Sequence, residues 1–307
     1  MSVSESIIVV GTDGSENASQ AVDWAAREAS LRGSPLEVLH AHPDSWPARL
    51  THPSHSESPT DEESAQILEV ARSRALERHP DLDVRLSSAR QSPAAALVHR
   101  SRTARLLVVG SHGRSAVGRL VLGSVSGHAI AYSQCPTVVV RGSISESDRP
   151  IAVGVDDSEA SRHALRVAFE EAALRDVPLT VFHAWQLPPV TGYGIWGFPE
   201  DVEAEFRGEA VTVLENAMST SAARYPQVRV VERVMETHPV TAAIDECHLS
   251  QLLVVGTRGG GAFPGVALGS LPAAAVREAA CPVMVVPVPR GIDLSTAATP
   301  DRAAANA

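Results

Sequence analysis

Leu106-Leu107-Val108-Val109-Gly110 and Leu252-Leu253-Val254-Val255-Gly256 are the same five residues, 146 positions apart. A short apolar run that stops at glycine reads as a strand buried on both faces of a parallel sheet. The repetition extends outward from it. Val9-Val10-Gly11-Thr12-Asp13-Gly14-Ser15 is matched by Ala152-Val153-Gly154-Val155-Asp156-Asp157-Ser158, and Leu39-His40-Ala41 by Phe182-His183-Ala184, each 143 positions on. Cys135-Pro136-Thr137-Val138-Val139-Val140 is matched by Cys281-Pro282-Val283-Met284-Val285-Val286, again at 146. Four blocks in one order at near-constant spacing mark an internal duplication.

Each copy alternates strand and helix. In the first, strands are expected at Ile7–Gly11, Leu36–His40, Val84–Ala89, Leu106–Gly110 and Thr137–Val140. Ser15 stands where a helix cap is needed, apolar residues recur at Ala18, Val22, Ala25, Ala26 and Ala29, and Gly33 ends that helix. Further helices are expected over Asp61 to Arg78, from Pro93 to about Arg102, and from Ser124. Five strands alternating with four helices imply an α/β fold: two tandem Rossmann-like domains, each a doubly wound five-stranded parallel sheet with helices on both faces. The domains are expected at 1–145 and 146–290, joined by the Ser-rich stretch Gly142–Arg149, with 291–307 a disordered tail rich in Ala, Thr and Pro.

Ligands of such sheets bind beyond the carboxyl ends of the strands, where the strand order reverses. After strand four the first copy reads Gly110-x2-Gly113-x9-Gly123-Ser124, and the second Gly256-x2-Gly259-x9-Gly269-Ser270. Spaced glycines let backbone N–H groups converge on a phosphate, and the helix that follows adds free donors and the positive end of its dipole. The hydroxyls of Ser124 and Ser126 are further candidate donors. Each hydrogen bond to a charged oxygen contributes roughly 1.5–3 kcal/mol, so three or four support affinity of about micromolar order. Asp13 and Asp156, at the ends of the first strands, are placed to accept from an adenine amino group or a ribose, to help hold Mg, or to start the following turn.

Composition removes alternatives. All 26 basic residues are Arg, so there is neither a P-loop lysine nor a Schiff base. No G-x-G-x-x-G follows strand one and no G-x-S-x-G is present. A net charge of −10 without a basic run argues against nucleic acid. Cys135, Cys247 and Cys281 show no C-x-x-C spacing and read as small buried residues in a reducing compartment. No basic leader precedes the run Ile7–Val10 and no stretch approaches the ~20 apolar residues of a membrane helix, so a cytoplasmic protein is expected. His40 and His183 read as hydrogen-bonded structural histidines, and His52 and His55 lack ligand spacing for a metal. Trp185, Tyr193, Trp196 and Phe198 suggest a loop packed on its own aromatics, with a lid or a partner surface as the alternative.

The glycine pattern after strand four, with an Asp ending strand one, resembles the universal stress protein family in its tandem, ATP-binding form. That resemblance implies strand order 3-2-1-4-5, ATP in the cleft, a non-catalytic sensor or regulator in the stress response, and pairing through the fifth strands. The halves would then form an internal pseudo-dimer, and two chains a homodimer. Adenine and ribose contacts would fall on Gly11, Thr12, Asp13 and Ala41, and phosphate contacts on Gly110, His112, Gly113, Gly123, Ser124, Val125 and Ser126, with Arg119 in reach. Equivalent positions of the second copy are Gly154, Val155, Asp156, Ala184, Gly256, Gly259, Gly269 and Ser270. That copy departs at Pro272 for Ser126, Gly265 for Arg119, Asp157 for Gly14, and in the looser Gly259-Gly260-Gly261, each change weakening anion binding. Rival readings are a slow ATPase of the same fold and a structural or chaperone-like module with a degenerate site.

Overall fold

The computed structural model describes residues 6–43, 61–113, 122–141, 148–187, 200–259 and 268–288. Arg119, His52, His55, Tyr193, Trp196, Phe198, Gly260, Gly261, Gly265, most of the linker and the tail lie outside them.

The first half contains β1 (Ile8–Gly11), α1 (Glu16–Arg32), β2 (Leu36–Ala41), α2 (Asp61–Arg78), β3 (Val84–Ala89), α3 (Pro93–Arg100), β4 (Leu106–Gly110), α4 (Ser124–Tyr132) and β5 (Thr137–Val140). The second contains β6 (Ile151–Gly154), α5 (Glu159–Arg175), β7 (Leu179–Trp185), α6 (Glu200–Ser221), β8 (Val230–Glu236), α7 (Pro239–Leu249), β9 (Leu252–Gly256), α8 (Ser270–Glu278) and β10 (Val283–Val286). Within each half the strands are parallel, in the order 3-2-1-4-5 and its repeat 8-7-6-9-10. The halves do not keep two separate sheets. β5 and β10 pair antiparallel, Val139 opposite Val283 and Val138 opposite Met284, and fuse them into one sheet of ten strands.

Alternation along the strands divides the core into two layers. Ile8, Val10, Leu36, Val38, Leu106 and Val108 face α1 and α2, joined by Val22, Ala25, Leu68 and Ala71. Val9, Leu39, Leu107 and Val109 face α3 and α4, joined by Leu97, Ala129 and Ile130. Each layer continues without a break into the second half, through Ile151, Val153, Leu165 and Phe169 on one face and Ala152, Leu253, Ala243 and Ala275 on the other. Parallel strands covered on both faces must be apolar throughout, which is why the sequence shows runs rather than alternation at β4 and β9.

A buried ring of charge stands across the seam. Arg32 and Arg175 each bind both Glu28 and Glu171, and the four side chains are only 3–9% exposed. Glu28 and Glu171, like Arg32 and Arg175, are equivalent positions on α1 and α5, so the ring closes about the pseudo-two-fold axis. Burial, then the nearby Glu171, push the Glu28 carboxyl above its ordinary range, while the two arginines pull it back. A second tie is Arg141, at the end of β5, which donates to the Val276 carbonyl at 3.2 Å and to that of Arg277 at the end of α8.

Helix ends follow local chemistry. Ser15 Oγ accepts from Ala18 N at 3.3 Å, and Gly33 closes α1 at φ 59°. Asp176 closes α5 in the same left-handed conformation, at φ 52°. There it carries both a Cβ penalty and a negative charge at the negative end of the helix. Asp176→Gly is therefore expected to raise stability by about 0.5–1 kcal/mol, part of the gain being offset by glycine's entropy in the unfolded chain, as read by urea unfolding.

Candidate functional site

Each half carries a cleft at the carboxyl edge of the sheet, between the first and fourth strands of its unit. The cavities measure about 530 Å³ in the first half and 590 Å³ in the second, within the range of small-molecule sites. In the first, Gly11, Thr12 and Asp13 line one side at the end of β1, Ala41 ends β2, and Gly110, His112 and Gly113 follow β4. Gly123, Ser124, Val125 and Ser126 at the start of α4 complete it. In the second, Gly154, Val155, Asp156, Ala184, Gly256, Gly259, Gly269 and Ser270 occupy the equivalent walls. All the candidate residues from the sequence come together in these two cavities except Arg119, which lies outside the described residues.

The glycines are used for close approach. A Cβ on Gly110 would lie 2.8 Å from the Asn17 carbonyl oxygen in the first turn of α1, and one on Gly256 would meet the backbone of Ala160 at the same distance. A Cβ on Gly113 would strike Asp13 Oδ2, and one on Gly259 would sit 2.6 Å from Asp156 Oδ2. The chain after strand four thus runs directly against the carboxylate that ends strand one. That carboxylate also shapes the turn: Asp13 Oδ1 accepts from Ser15 N at 3.0 Å, and Asp156 Oδ1 from Ser158 N at 2.9 Å. The ends of each glycine loop are pinned by a backbone bond, Gly123 N to Ser111 O at 2.9 Å and Gly269 N to Thr257 O at 2.8 Å.

Six α-helices have described N-caps, and they fall into two groups. Ser15, Ser92, Ser158 and His238 each accept a backbone N–H with the side chain, capping α1, α3, α5 and α7. At α4 and α8, which follow the glycine loops and whose first residues line the clefts, the caps are Gly123 and Gly269, with no side-chain acceptor. A helix start left without its own cap beside glycine-rich backbone is an anion-binding arrangement.

Side-chain contacts add detail at several of these positions. Ser126 Oγ donates to the Gly110 carbonyl at 2.7 Å, so its proton is engaged in a tie between the end of β4 and the start of α4. Pro272 therefore removes a strand-to-helix tie as well as a donor from the α8 start. Asp157 does not line the second cleft: its side chain is 90% exposed and faces Arg162 at 3.4 Å. His40 and His183 each donate from Nδ1 to a carbonyl, that of Thr12 or Val155, at 2.8 Å, so their role is to fix the strand-one turn.

Other lining residues were not singled out from the sequence. Arg258 stands where the first copy has His112, giving the second cleft a permanent cation. The apolar floor also changes. Leu39 and Leu97 line the first cleft, whereas their equivalents are Phe182 and Ala243, and the Phe182 ring comes within 2.9 Å of a Cβ built on Gly154. A large–small exchange keeps the floor filled. The aligned offsets carried both substitutions, but neither falls inside the glycine motif that drew attention to the loop. Among the described residues, no group of three or more His, Cys, Asp or Glu side chains is arranged for a metal, and no helix is long and apolar enough to cross a membrane.

A duplicated doubly wound α/β unit with a glycine-lined cleft at each switch point defines the class. The sequence matches the universal stress protein family over residues 6–141 and again over 149–287, and the chain belongs to that family. A universal stress protein of Mycolicibacterium smegmatis is 35% identical over 298 residues, spanning 93% of this chain and 98% of that one. One from Mycobacterium tuberculosis is 32% identical over 291 residues, spanning 91% and 95%. The crystal structure of a universal stress protein from Archaeoglobus fulgidus superposes with a TM-score of 0.62 over 92% of this chain and 98% of its own, at 17% identity, a likeness of fold.

Proposed function

We propose that the protein binds ATP, more tightly in its first cleft than in its second, and works in the cytoplasm as a nucleotide-dependent sensor in the stress response rather than as a catalyst. The observation that carries this reading is the pair of glycine-capped helix starts, α4 and α8, lining the cavities, while the other described α-helix N-caps are filled by side chains. Triphosphate oxygens would take the N–H groups that a side chain would otherwise occupy, and Asp13 would contact the ribose or the Mg ion that accompanies ATP. The apolar floor of Leu39, Leu97 and Val109 suits a base. With no lysine in the chain, the clefts lack the usual phosphate clamp of a phosphoryl-transfer enzyme.

Mass spectrometry of nucleotide released from the denatured pure protein tests the reading. ATP in the supernatant supports it. A protein without nucleotide whose melting temperature ATP leaves unchanged contradicts it, and rapid ATP turnover favours the ATPase. Asymmetry has its own test. Pro272→Ser restores a backbone donor and the hydroxyl tie at the start of α8, and is expected to tighten the weaker site by about 5-fold, equivalent to about 1 kcal/mol. An unchanged second binding event in calorimetry would contradict the role given to Pro272.

A further inference from the structure

Cys247, in the last turns of α7, and Cys281, immediately before β10, are both buried in the layer under α7 and α8, at 1% and 4% exposure. Both side chains belong to one buried apolar cluster, and the nearness of Cys281, then burial, raise the Cys247 thiol above its ordinary value. The first half shows the same geometry without the chemistry. Ser101 occupies the place of Cys247, and its hydroxyl accepts from Gln134 N at 3.0 Å, next to Cys135, the equivalent of Cys281. The duplication thus juxtaposes these two positions in both halves, and only the second half fills both with sulfur.

We propose that Cys247 and Cys281 are a redox-active dithiol, oxidised by a peroxide to an intradomain disulfide that ties the end of α7 to the start of β10. Cys281 is the attacking sulfur. Cys247, whose thiol is raised by the neighbouring Cys281 and then by burial, is the resolving sulfur. The Cys281 sulfur attacks one peroxide oxygen, the O–O bond breaks, and with hydrogen peroxide one water leaves as Cys281 becomes a sulfenic acid. The Cys247 sulfur then attacks the sulfenic sulfur, the S–O bond breaks, and the hydroxyl departs with the Cys247 proton as a second water. Two thiols lose two electrons and the peroxide gains them. Access comes from the helix end: Leu249, the last residue of α7, is 52% exposed, and fraying of that turn uncovers the pair. The bond would hold α7, whose first residue, Pro239, lines the second cleft.

The test uses the full-length folded protein. It is treated with hydrogen peroxide, unfolded in an alkylating reagent and digested with trypsin, which places Cys247 in 234–258 and Cys281 in 278–290. The expected product is these two peptides joined, two hydrogens lighter than their sum, with Cys135 recovered as an alkylated thiol. Recovery of Cys247 and Cys281 as separate alkylated or over-oxidised peptides overturns the proposal. Ser101→Cys provides a second arm: a folded variant is expected to gain a 101–135 link under the same conditions, and a folded variant that stays reduced there counts against the juxtaposition on which the proposal rests.

Discussion

Arg32→Ala lowers the stability of the chain by about 3–5 kcal/mol, the range for removing one partner of a buried ion pair. Arg32 binds both Glu28 and Glu171 across the seam. Without it, two buried carboxylates share the single cation of Arg175. Urea unfolding at neutral pH reads the loss. The deficit should also depend on pH. Burial and the neighbouring Glu171 already hold the Glu28 carboxyl above its ordinary value of 4.5, and losing a cation raises it further. A carboxyl with a raised pKa in the folded state binds its proton before the unfolded chain does. The variant therefore regains stability as the pH falls from the raised value toward 4.5. A loss below about 1 kcal/mol, flat with pH, would show that the ring behaves like exposed surface pairs and is not what locks the halves together.

Gly113→Val is expected to weaken ATP binding by at least about 100-fold, equivalent to about 2.7 kcal/mol, while leaving the fold in place. The first added carbon collides with Asp13 Oδ2, so either the glycine loop retreats from the cleft or the carboxylate leaves its turn. Both responses disperse the groups that would converge on the nucleotide. The position lies at the cleft rim, outside the two core layers, so the unfolding midpoint should move little. Gly259→Val makes the same collision against Asp156 and is expected to remove only the weaker binding event. Calorimetric titration of both variants separates the sites.

Much of the architecture was legible because the sequence states it twice. The β4 and β9 runs, the Ser15 cap and the bounds of α2 follow from local rules that the structure obeys. The candidate site was legible for a related reason: glycines, a strand-end Asp and a helix-opening Ser are constrained by backbone geometry, which spacing records. Side-chain packing leaves a weaker trace. Leu39, Leu97 and Phe182 look like any strand or helix core residue, and only the fold tells which of them face a cavity. The charge ring is a different case. Glu28 and Arg32 look like an ordinary i,i+4 surface pair until the antiparallel β5–β10 seam brings α5 alongside α1. Its one sequence signal is that both members recur at Glu171 and Arg175 among otherwise apolar helix positions such as Ala25, Ala29 and Ala172. The tie from the Ser126 hydroxyl to Gly110 O was hidden for want of the same information, since its acceptor belongs to a strand sixteen residues away.

The most direct test is equilibrium titration of nucleotide-stripped wild-type protein with ATP, followed by calorimetry. Two glycine-capped helix starts lining two cavities predict saturable binding of about micromolar order, with a tighter event that Gly113→Val abolishes and Gly259→Val spares. Absence of saturable binding by the folded wild-type protein, or a tight event that both variants leave intact, would contradict the account.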